Sequence, residues 1–350
     1  MEQQTAMIGA IVAAGRAWRD PAYPARVEAV RRTLEARNRF TDAALTFAVN
    51  QQMHLLTRKA LERWGSGHWA SRPVTVGVLN AGNVPLAGLQ DLLAVLLTGH
   101  RYFGTTSSKS PFLLPAFAEE IVRTLKEAPV QFGPVEALWS QAEAVIATGG
   151  DETRAWAIEQ CEALAIPPDH CLLRGHRFAV AVIDGKERTQ ERDNLAEDAL
   201  LHEGYGCRNV ALIWAPEGTS PDPYLEAFAV FRSVFPPHPR TPGTLKMQQA
   251  FLKAVDLPHA YGEGLEFLLS KGPPEVQRPG HIRWVEYADL EDVCSWLKAH
   301  ENALQFVAAR PALAAQLPDH LPLTSPGEAQ RPPLDWQPDG QDTVAFLAGL

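Results

Sequence analysis

Two hydrophobic periods alternate along the chain, and the switches between them mark its elements. In residues 1–70 apolar positions recur at i, i+3 and i+4. PARVEAVRRTLEARN (24–38) and TDAALTFAVNQQMHLLTRKALERW (41–64) therefore predict helices, with Thr41 as an N-cap ahead of Asp42. The pattern changes in SRPVTVGVLNAGNVPL (71–86), where VTVGVL is a short β-branched run that predicts a buried strand entering a loop. LAGLQDLLAVLLTG (86–99) predicts a helix closed by Gly99, and HRYFGT (100–105) a strand. SPFLLPAFAEEIVRTLKEA (110–128) predicts a helix with Ser110 as cap and Pro111 in the first turn. EAVIATGG (143–150) predicts a strand running into a glycine loop, and DETRAWAIEQCEALA (151–165) a helix that starts directly after it. Strand, helix, strand, helix, strand, glycine turn, helix is the alternation of a doubly wound parallel sheet. Ligands bind such sheets at the carboxyl ends of the strands, so the loops at 80–85, 104–110 and 148–152 are the places to look.

A second α/β block follows. RFAVAVIDG (177–185), NVALIWAP (209–216), IRWVEY (282–287) and LQFVAA (304–309) read as strands. NLAEDALLHEG (194–204), LEAFAVFRSVF, the 243–255 segment and DLEDVCSWLKAHE (289–301) read as helices, and GKERTQERD (185–193) as a solvated charged loop. From Pro311 to Leu350 the chain is Pro-rich.

Composition narrows the class. The 350 residues suit two domains, and 46% apolar with 21% charged residues is an ordinary globular balance. Disordered, collagenous and coiled-coil classes are excluded. Asp plus Glu exceed Lys plus Arg by 41 to 32, a net charge of −9, which argues against a nucleic-acid-binding surface. VPLAGLQDLLAVLLTG (84–99) is the most apolar stretch; it contains Gln90 and Asp91 and falls short of the ~20 residues of a membrane span. AMIGAIVAAG (6–15) is preceded by Glu2 and no basic residue, unlike a secretory signal, so a cytoplasmic protein is expected.

The four cysteines, Cys161, Cys171, Cys207 and Cys294, match no metal-binding spacing. Cys161 and Cys294 sit at helical spacing among apolar residues, and Cys171 heads the run CLL, so all three read as packing. Cys207 differs: it sits in GYGCRN (204–209), where glycines permit close approach of a substrate and Arg208 could lower the thiol pKa. The bland alternative is a buried cysteine beside a turn. Asn83 in AGNVPL falls at the end of a predicted strand, where its amide could stabilise an oxyanion or merely shape a turn. The loop Thr148, Gly149, Gly150 before a helix could cradle a pyrophosphate or be a simple turn, and no GxGxxG is present.

Taken in order, NAGNVPLAGLQDLLAVLLTGHR, SSKS, LLP, AVIATGG, GYGCRNV and GEAQRPPLDWQPDGQDTVAFL resemble the LuxC-type acyl-CoA reductases, a branch of the aldehyde dehydrogenase superfamily. The resemblance covers roughly 70–350 and is to the shorter members. It implies an α/β, aldehyde-dehydrogenase-like fold. Residues 1–176 would hold a helical N-terminal region and a Rossmann-like cofactor-binding domain. Residues 177–310 would form the catalytic domain, and 311–350 a tail that returns to the cofactor domain or serves oligomerisation. It implies that Cys207 is the nucleophile forming an acyl-thioester and that Asn83, with the Cys207 backbone N–H, forms the oxyanion hole. Thr148, Gly149 and Gly150 would lie beside the nicotinamide and pyrophosphate, and 104–109, with Thr105, Ser107, Ser108 and Lys109, would be the adenosine-ribose loop. Where hydrolytic relatives carry a general-base Glu, this chain has Leu173 or Arg174, which suits an enzyme that must avoid hydrolysis. His176 could assist proton transfer or be a packed or surface histidine. Thr105 replaces the usual ribose-loop Lys and Ser108 the usual acid, with Lys109 nearby, which favours NADPH, NADH being the alternative. The expected activity is NADPH-dependent reduction of an acyl-CoA to an aldehyde by a homodimer or higher homo-oligomer. The alternatives are an oxidative aldehyde dehydrogenase, an acyl-phosphate reductase and a catalytically silent scaffold subunit.

Overall fold

The computed structural model describes every residue except Met1, Lys126 and Ala128. The chain divides into two units: residues 1–176 with 333–350, and residues 177–332.

The first unit opens with helices α1 (Glu2–Arg19), α2 (Pro24–Glu35), α3 (Asp42–Leu55) and α4 (Arg58–Gly65). Thr41 caps α3 by accepting from the Ala44 N–H at 3.3 Å. The single helix expected over 41–64 is two, because the Thr57 hydroxyl takes the Ala60 N–H at 3.2 Å and starts a new N-terminus. Then come β1 (Thr75–Leu79), α5 (Leu89–Leu97), β2 (Arg101–Thr105), α6 (Leu113–Val122), β3 (Val130–Phe132), α7 (Val135–Gln141), β4 (Ala144–Thr148), α8 (Asp151–Ala163) and β5 (Cys171–Arg174). The helix expected over 110–128 is shorter at both ends, and Phe112 rather than Ser110 precedes it; Lys126 and Ala128 lie outside the described residues. β3, α7 and β5 escape sequence reading because three- to seven-residue elements carry too few repeats of either period.

The sheet order is β3-β2-β1-β4-β5, all parallel. Alternation in β1 sends Val76 and Val78 into the larger core with α1, α5 and α6, and Leu79 into the opposite core with Leu138 and Ala157. The strand order reverses between β1 and β4, so the loops after these two strands flank the crevice where doubly wound sheets take ligands.

The second unit holds β6 (Phe178–Val182), α9 (Thr189–Leu200), β7 (Val210–Pro216), α10 (Asp222–Val234), α11 (Thr241–Ala254), β8 (His259–Tyr261), β9 (Leu268–Lys271), β10 (His281–Tyr287), α12 (Leu290–Ala299), β11 (Leu304–Ala308), α13 (Pro311–Ala314) and β12 (Leu323–Thr324). Its sheet runs β12-β11-β6-β7-β10-β9-β8, parallel except for β8. The charged run 185–193 is not simply solvated: Glu187 is buried and accepts from Tyr224 Oη at 2.6 Å, and α9 already begins at Thr189. The last helix, α14 (Thr343–Ala348), belongs to the first unit, where Leu334, Val344 and Leu347 join the core around α5.

Candidate active site

In the first unit the loops after β1 and β2 are tied together. The Asn80 amide donates to Tyr102 Oη at 2.7 Å and to the Thr105 carbonyl at 2.8 Å, which fixes the ends of both strands. The loops then touch: a Cβ on Gly82 would fall 2.1 Å from Ser107 Oγ, so only glycine fits there. Asn83 is exposed just beyond, and its Oδ1 accepts from Lys109 Nζ at 3.0 Å. With the carbonyl end engaged, the N–H donors of Asn83 are the part left for a ligand, as an oxyanion donor requires. Ser107 Oγ accepts from the Lys109 N–H at 3.3 Å, and Ser108 is exposed in the same turn. The structure therefore brings Asn83, Ser107 and Lys109 together.

The loop after β4 is held differently. Thr148 Oγ1 accepts from Arg174 at 3.2 Å, the Gly149 N–H donates to the Arg174 carbonyl at 3.4 Å, and Gly150 precedes α8 in extended geometry. A helix N-terminus favours anions, but Asp151 and Glu152 already supply two in this first turn, and they oppose a further diphosphate there. Asp151 also accepts from the backbone N–H of His176, whose side chain is exposed.

Leu173 and Arg174, where a general base would stand in hydrolytic relatives, cannot be one. Leu173 is apolar and lies in the β4–β5 ladder. Arg174 is 3% exposed and reaches both Asp91 oxygens, at 2.8 and 3.0 Å, and Thr343 Oγ1 at 2.7 Å. Asp91 in the apolar run LQDLLAVLL was the available signal for this pair, since an acid inside a buried helix needs a partner.

A cleft of ≈ 590 Å³ opens at the carboxyl ends of β2 and β3. Thr105 and Thr106 offer hydroxyls, and Phe132, Pro134, Val135 and Pro115 give apolar walls. That lining fits the flat base and ribose of an adenosine. The expected ribose loop reaches it through Thr105; Phe132 and Val135 were missed because β3 and α7 were.

Cys207 is built by the second unit, in the turn between α9 and β7, and is exposed. The backbone before it is unusual. His202, Glu203 and Gly204 all take left-handed φ, at 54°, 59° and 73°. For the two non-glycine residues this costs ~1–3 kcal/mol each, so the surroundings must impose it. Glu203 is buried and accepts from Arg232 at 3.0 Å and from the Thr241 hydroxyl. Gly204 is required: a Cβ would lie 2.8 Å from the Gly280 nitrogen. On the far side, Asn209 Oδ1 accepts from the Gly206 N–H at 2.8 Å, its amide donates to the Leu201 carbonyl at 2.8 Å, and Gln330 donates to the Arg208 carbonyl at 2.9 Å. Both flanks of Cys207 are thus held by buried side chains.

The charges around this turn are also set by burial. Burial lowers the Arg208 pKa while nearby Cys207 and Asp198 raise it. His202 is pushed down to about 3 by burial and by Arg208, so it is neutral. Asp198 is raised to about 7 by burial, against the hydrogen bond it accepts from the Gly327 N–H. The other cysteines match their expected packing roles: burial raises all three thiols, Cys161 to about 12.

The fold is that of the aldehyde dehydrogenases: an NAD-dependent benzaldehyde dehydrogenase from Corynebacterium glutamicum superposes with a TM-score of 0.69 over 92% of this chain and 80% of its own, at 14% identity. The family model for acyl-CoA reductase (LuxC) matches residues 62–220. A long-chain acyl-protein thioester reductase of Aliivibrio fischeri is 26% identical over 166 residues, 42% of this chain and 34% of that protein. A second such reductase, from Photobacterium leiognathi, is 27% identical over 145 residues, 37% of this chain and 29% of its own length. Over residues 62–220 the chain is similar to the LuxC-type acyl-CoA reductases, and its fold is that of the aldehyde dehydrogenases. The matches span about a third of the length of these curated relatives. Among the described residues no helix is long and apolar enough to cross a membrane, and no cluster of side chains could hold a metal ion.

Proposed function

We propose that the protein reduces an acyl thioester to an aldehyde through an acyl-Cys207 intermediate. The observation that carries this reading is the contrast among the four cysteines: Cys207 is exposed in a turn locked on both sides, and the other three are packed with raised thiol pKa values. The thiolate of Cys207 attacks the thioester carbonyl, the new C–S bond forms, and the donor thiol leaves. A nicotinamide nucleotide, when bound, would supply the hydride that this carbonyl carbon takes up. The resulting thiohemiacetal loses Cys207 as thiolate and gives the aldehyde; one proton is taken up by the departing donor thiol.

Asn83 is assigned as the side-chain donor to the thioester oxygen. Thr105, Thr106, Phe132 and Val135 would hold the adenosine portion of the nucleotide, and Lys109 would favour a 2′-phosphate and hence NADPH. His176 is a proton carrier in this reading. Neither Leu173 nor Arg174 can serve as the base of a hydrolytic enzyme, which favours an acyl-enzyme that persists until hydride arrives. The names of the relatives leave two donors, CoA and a protein thiol, and the reading takes acyl-CoA as the substrate, with a homo-oligomer as the working form. The test is turnover with acyl-CoAs of several lengths and NADPH or NADH. Aldehyde formed by wild type and not by Cys207→Ala supports the reading. Equal rates in both proteins overturn it.

A further inference from the structure

Residues 325–331, SPGEAQR, form an irregular stretch after β12 within the second unit, in which Gly327, Ala329 and Gln330 are buried. What this stretch grips is the base of the Cys207 turn. Asn194 on α9 donates to the Pro326 carbonyl at 3.0 Å, and the Gly327 N–H donates to Asp198 Oδ2 at 2.5 Å. Gly327 has a φ of 93°, and a Cβ there would fall 2.8 Å from Asn194 Cγ, so glycine is required. Gln330, 4% exposed, then spans the turn. Its Nε2 donates to the Arg208 carbonyl at 2.9 Å and, more loosely, to the Asp198 carbonyl at 3.3 Å. The Asp198 carbonyl also accepts from Asn209 Nδ2 at 3.0 Å, so the end of α9 keeps a partner without Gln330. What Gln330 adds is the bond to Arg208.

That bond starts a chain of peptide groups that ends at the thiol. The Arg208 carbonyl and the Asn209 N–H are the two ends of one peptide. The Asn209 N–H donates to the Gly206 carbonyl at 3.0 Å. The Gly206 carbonyl and the Cys207 N–H are the two ends of another, which is trans. In a planar trans peptide the C=O and the N–H point in opposite directions. With the Gly206 carbonyl turned inward onto Asn209, the Cys207 N–H is therefore turned outward, away from the turn. Each bond of such a chain aligns and polarises the next, which makes the last N–H a stronger donor. A backbone N–H beside an attacking thiolate lies where the oxygen of the attacked carbonyl collects negative charge.

We infer that Gln330 is a positioning residue for thioester attack: through the Arg208–Asn209 and Gly206–Cys207 peptides it aims the Cys207 N–H at the thioester oxygen. The inference rests on the reading of Cys207 as the acylated nucleophile. The experiment compares two rates at Cys207 in the full chain, both read by mass spectrometry of the peptide that contains it. Acylation by an acyl-CoA builds an oxyanion; alkylation by iodoacetamide displaces iodide at a saturated carbon and builds none. Gln330→Met and Gln330→Glu nearly keep the size of the side chain and lack the amide donor. Both are expected to be acylated about tenfold more slowly, part of the ~10²–10³ lost with a whole oxyanion donor, and to be alkylated within about twofold of wild type. Arg331→Ala removes the neighbouring ion pair with Glu197 and leaves the chain of peptides in place, so both of its rates are expected to match wild type. Acylation of Gln330→Met and Gln330→Glu at the wild-type rate overturns the inference. A parallel fall of both rates in the two variants also overturns it and makes Gln330 a packing residue. Wild type that is alkylated at Cys207 but takes no acyl group there overturns the reading of Cys207 itself, and the inference with it.

Discussion

Cys207 and Asn83 are ordinary residue types whose reactivity depends on what fixes them. Asn83 is oriented by Lys109, which occupies its carbonyl oxygen. Asn83→Ala is expected to slow single-turnover acylation by ~10²–10³, the usual loss for one oxyanion donor; a change below threefold would make it a turn residue only. Lys109 has two assignments that one variant separates. If Lys109 binds a 2′-phosphate, Lys109→Ala weakens NADPH more than NADH in binding titrations; if it only orients Asn83, acylation slows and both nucleotides bind as before. Asp198 gives a pH prediction. Its pKa is raised from 3.8 to about 7, so below 3.8 it is protonated folded and unfolded alike. Between 3.8 and 7 the unfolded chain ionises it first, and stability falls as pH rises, until the folded pKa is passed. Thermal melts of Asp198→Asn should therefore gain on wild type from pH 4 to pH 8. A constant difference would show that Asp198 is ionised in the folded protein throughout.

At the scale of elements, the strength of β1, β2 and β4 as signals and the weakness of β3, β5 and α7 have one cause. Four consecutive buried residues on alternating faces are visible in TVGVL and again in AVIAT, whereas VQF and CLLR are too short to show a period. The same limit hid half of the lining of the cleft at the ends of β2 and β3. The glycine turn at Cys207 was legible as GYGC, but its clamps were not, since Glu203–Arg232 and Arg208–Gln330 join residues 29 and 122 apart. Arg174–Asp91 is a second long-range pair of this kind, joining β5 to α5. Arg174→Met is expected to cost ~3–5 kcal/mol by leaving Asp91 buried without its counter-charge; replacing both residues by apolar ones should restore most of it. Denaturant melts of the two variants decide between an ion pair that matters through its broken half and one that stabilises outright.

For the whole molecule, the fate of the C-terminal residues joins sequence and fold. Read alone, 311–350 could return to the cofactor domain or reach another subunit. Residues 333–350 lie in the first unit, where the Leu347 carbonyl sits 2.9 Å from His100 Nε2 and Gln90 donates to the Leu334 carbonyl at 3.0 Å. Truncation after Pro332 uncovers the sites of Leu334, Val344 and Leu347, roughly 1.5–3 kcal/mol each, comparable in sum to the stability of a typical domain. The shortened chain is expected to lose cooperative melting of its first unit; an unchanged Tm would contradict this.

In the proposed reaction the acyl group passes through Cys207, where it can be trapped. Wild-type protein is incubated with a labelled acyl-CoA and no nucleotide, quenched in acid, digested and mapped by mass spectrometry. One acyl group is expected on the peptide containing Cys207, none in Cys207→Ala, and release of the label as aldehyde when NADPH is added before the quench. An acyl group on Cys161, Cys171 or Cys294, or turnover with no label on any cysteine, would contradict it.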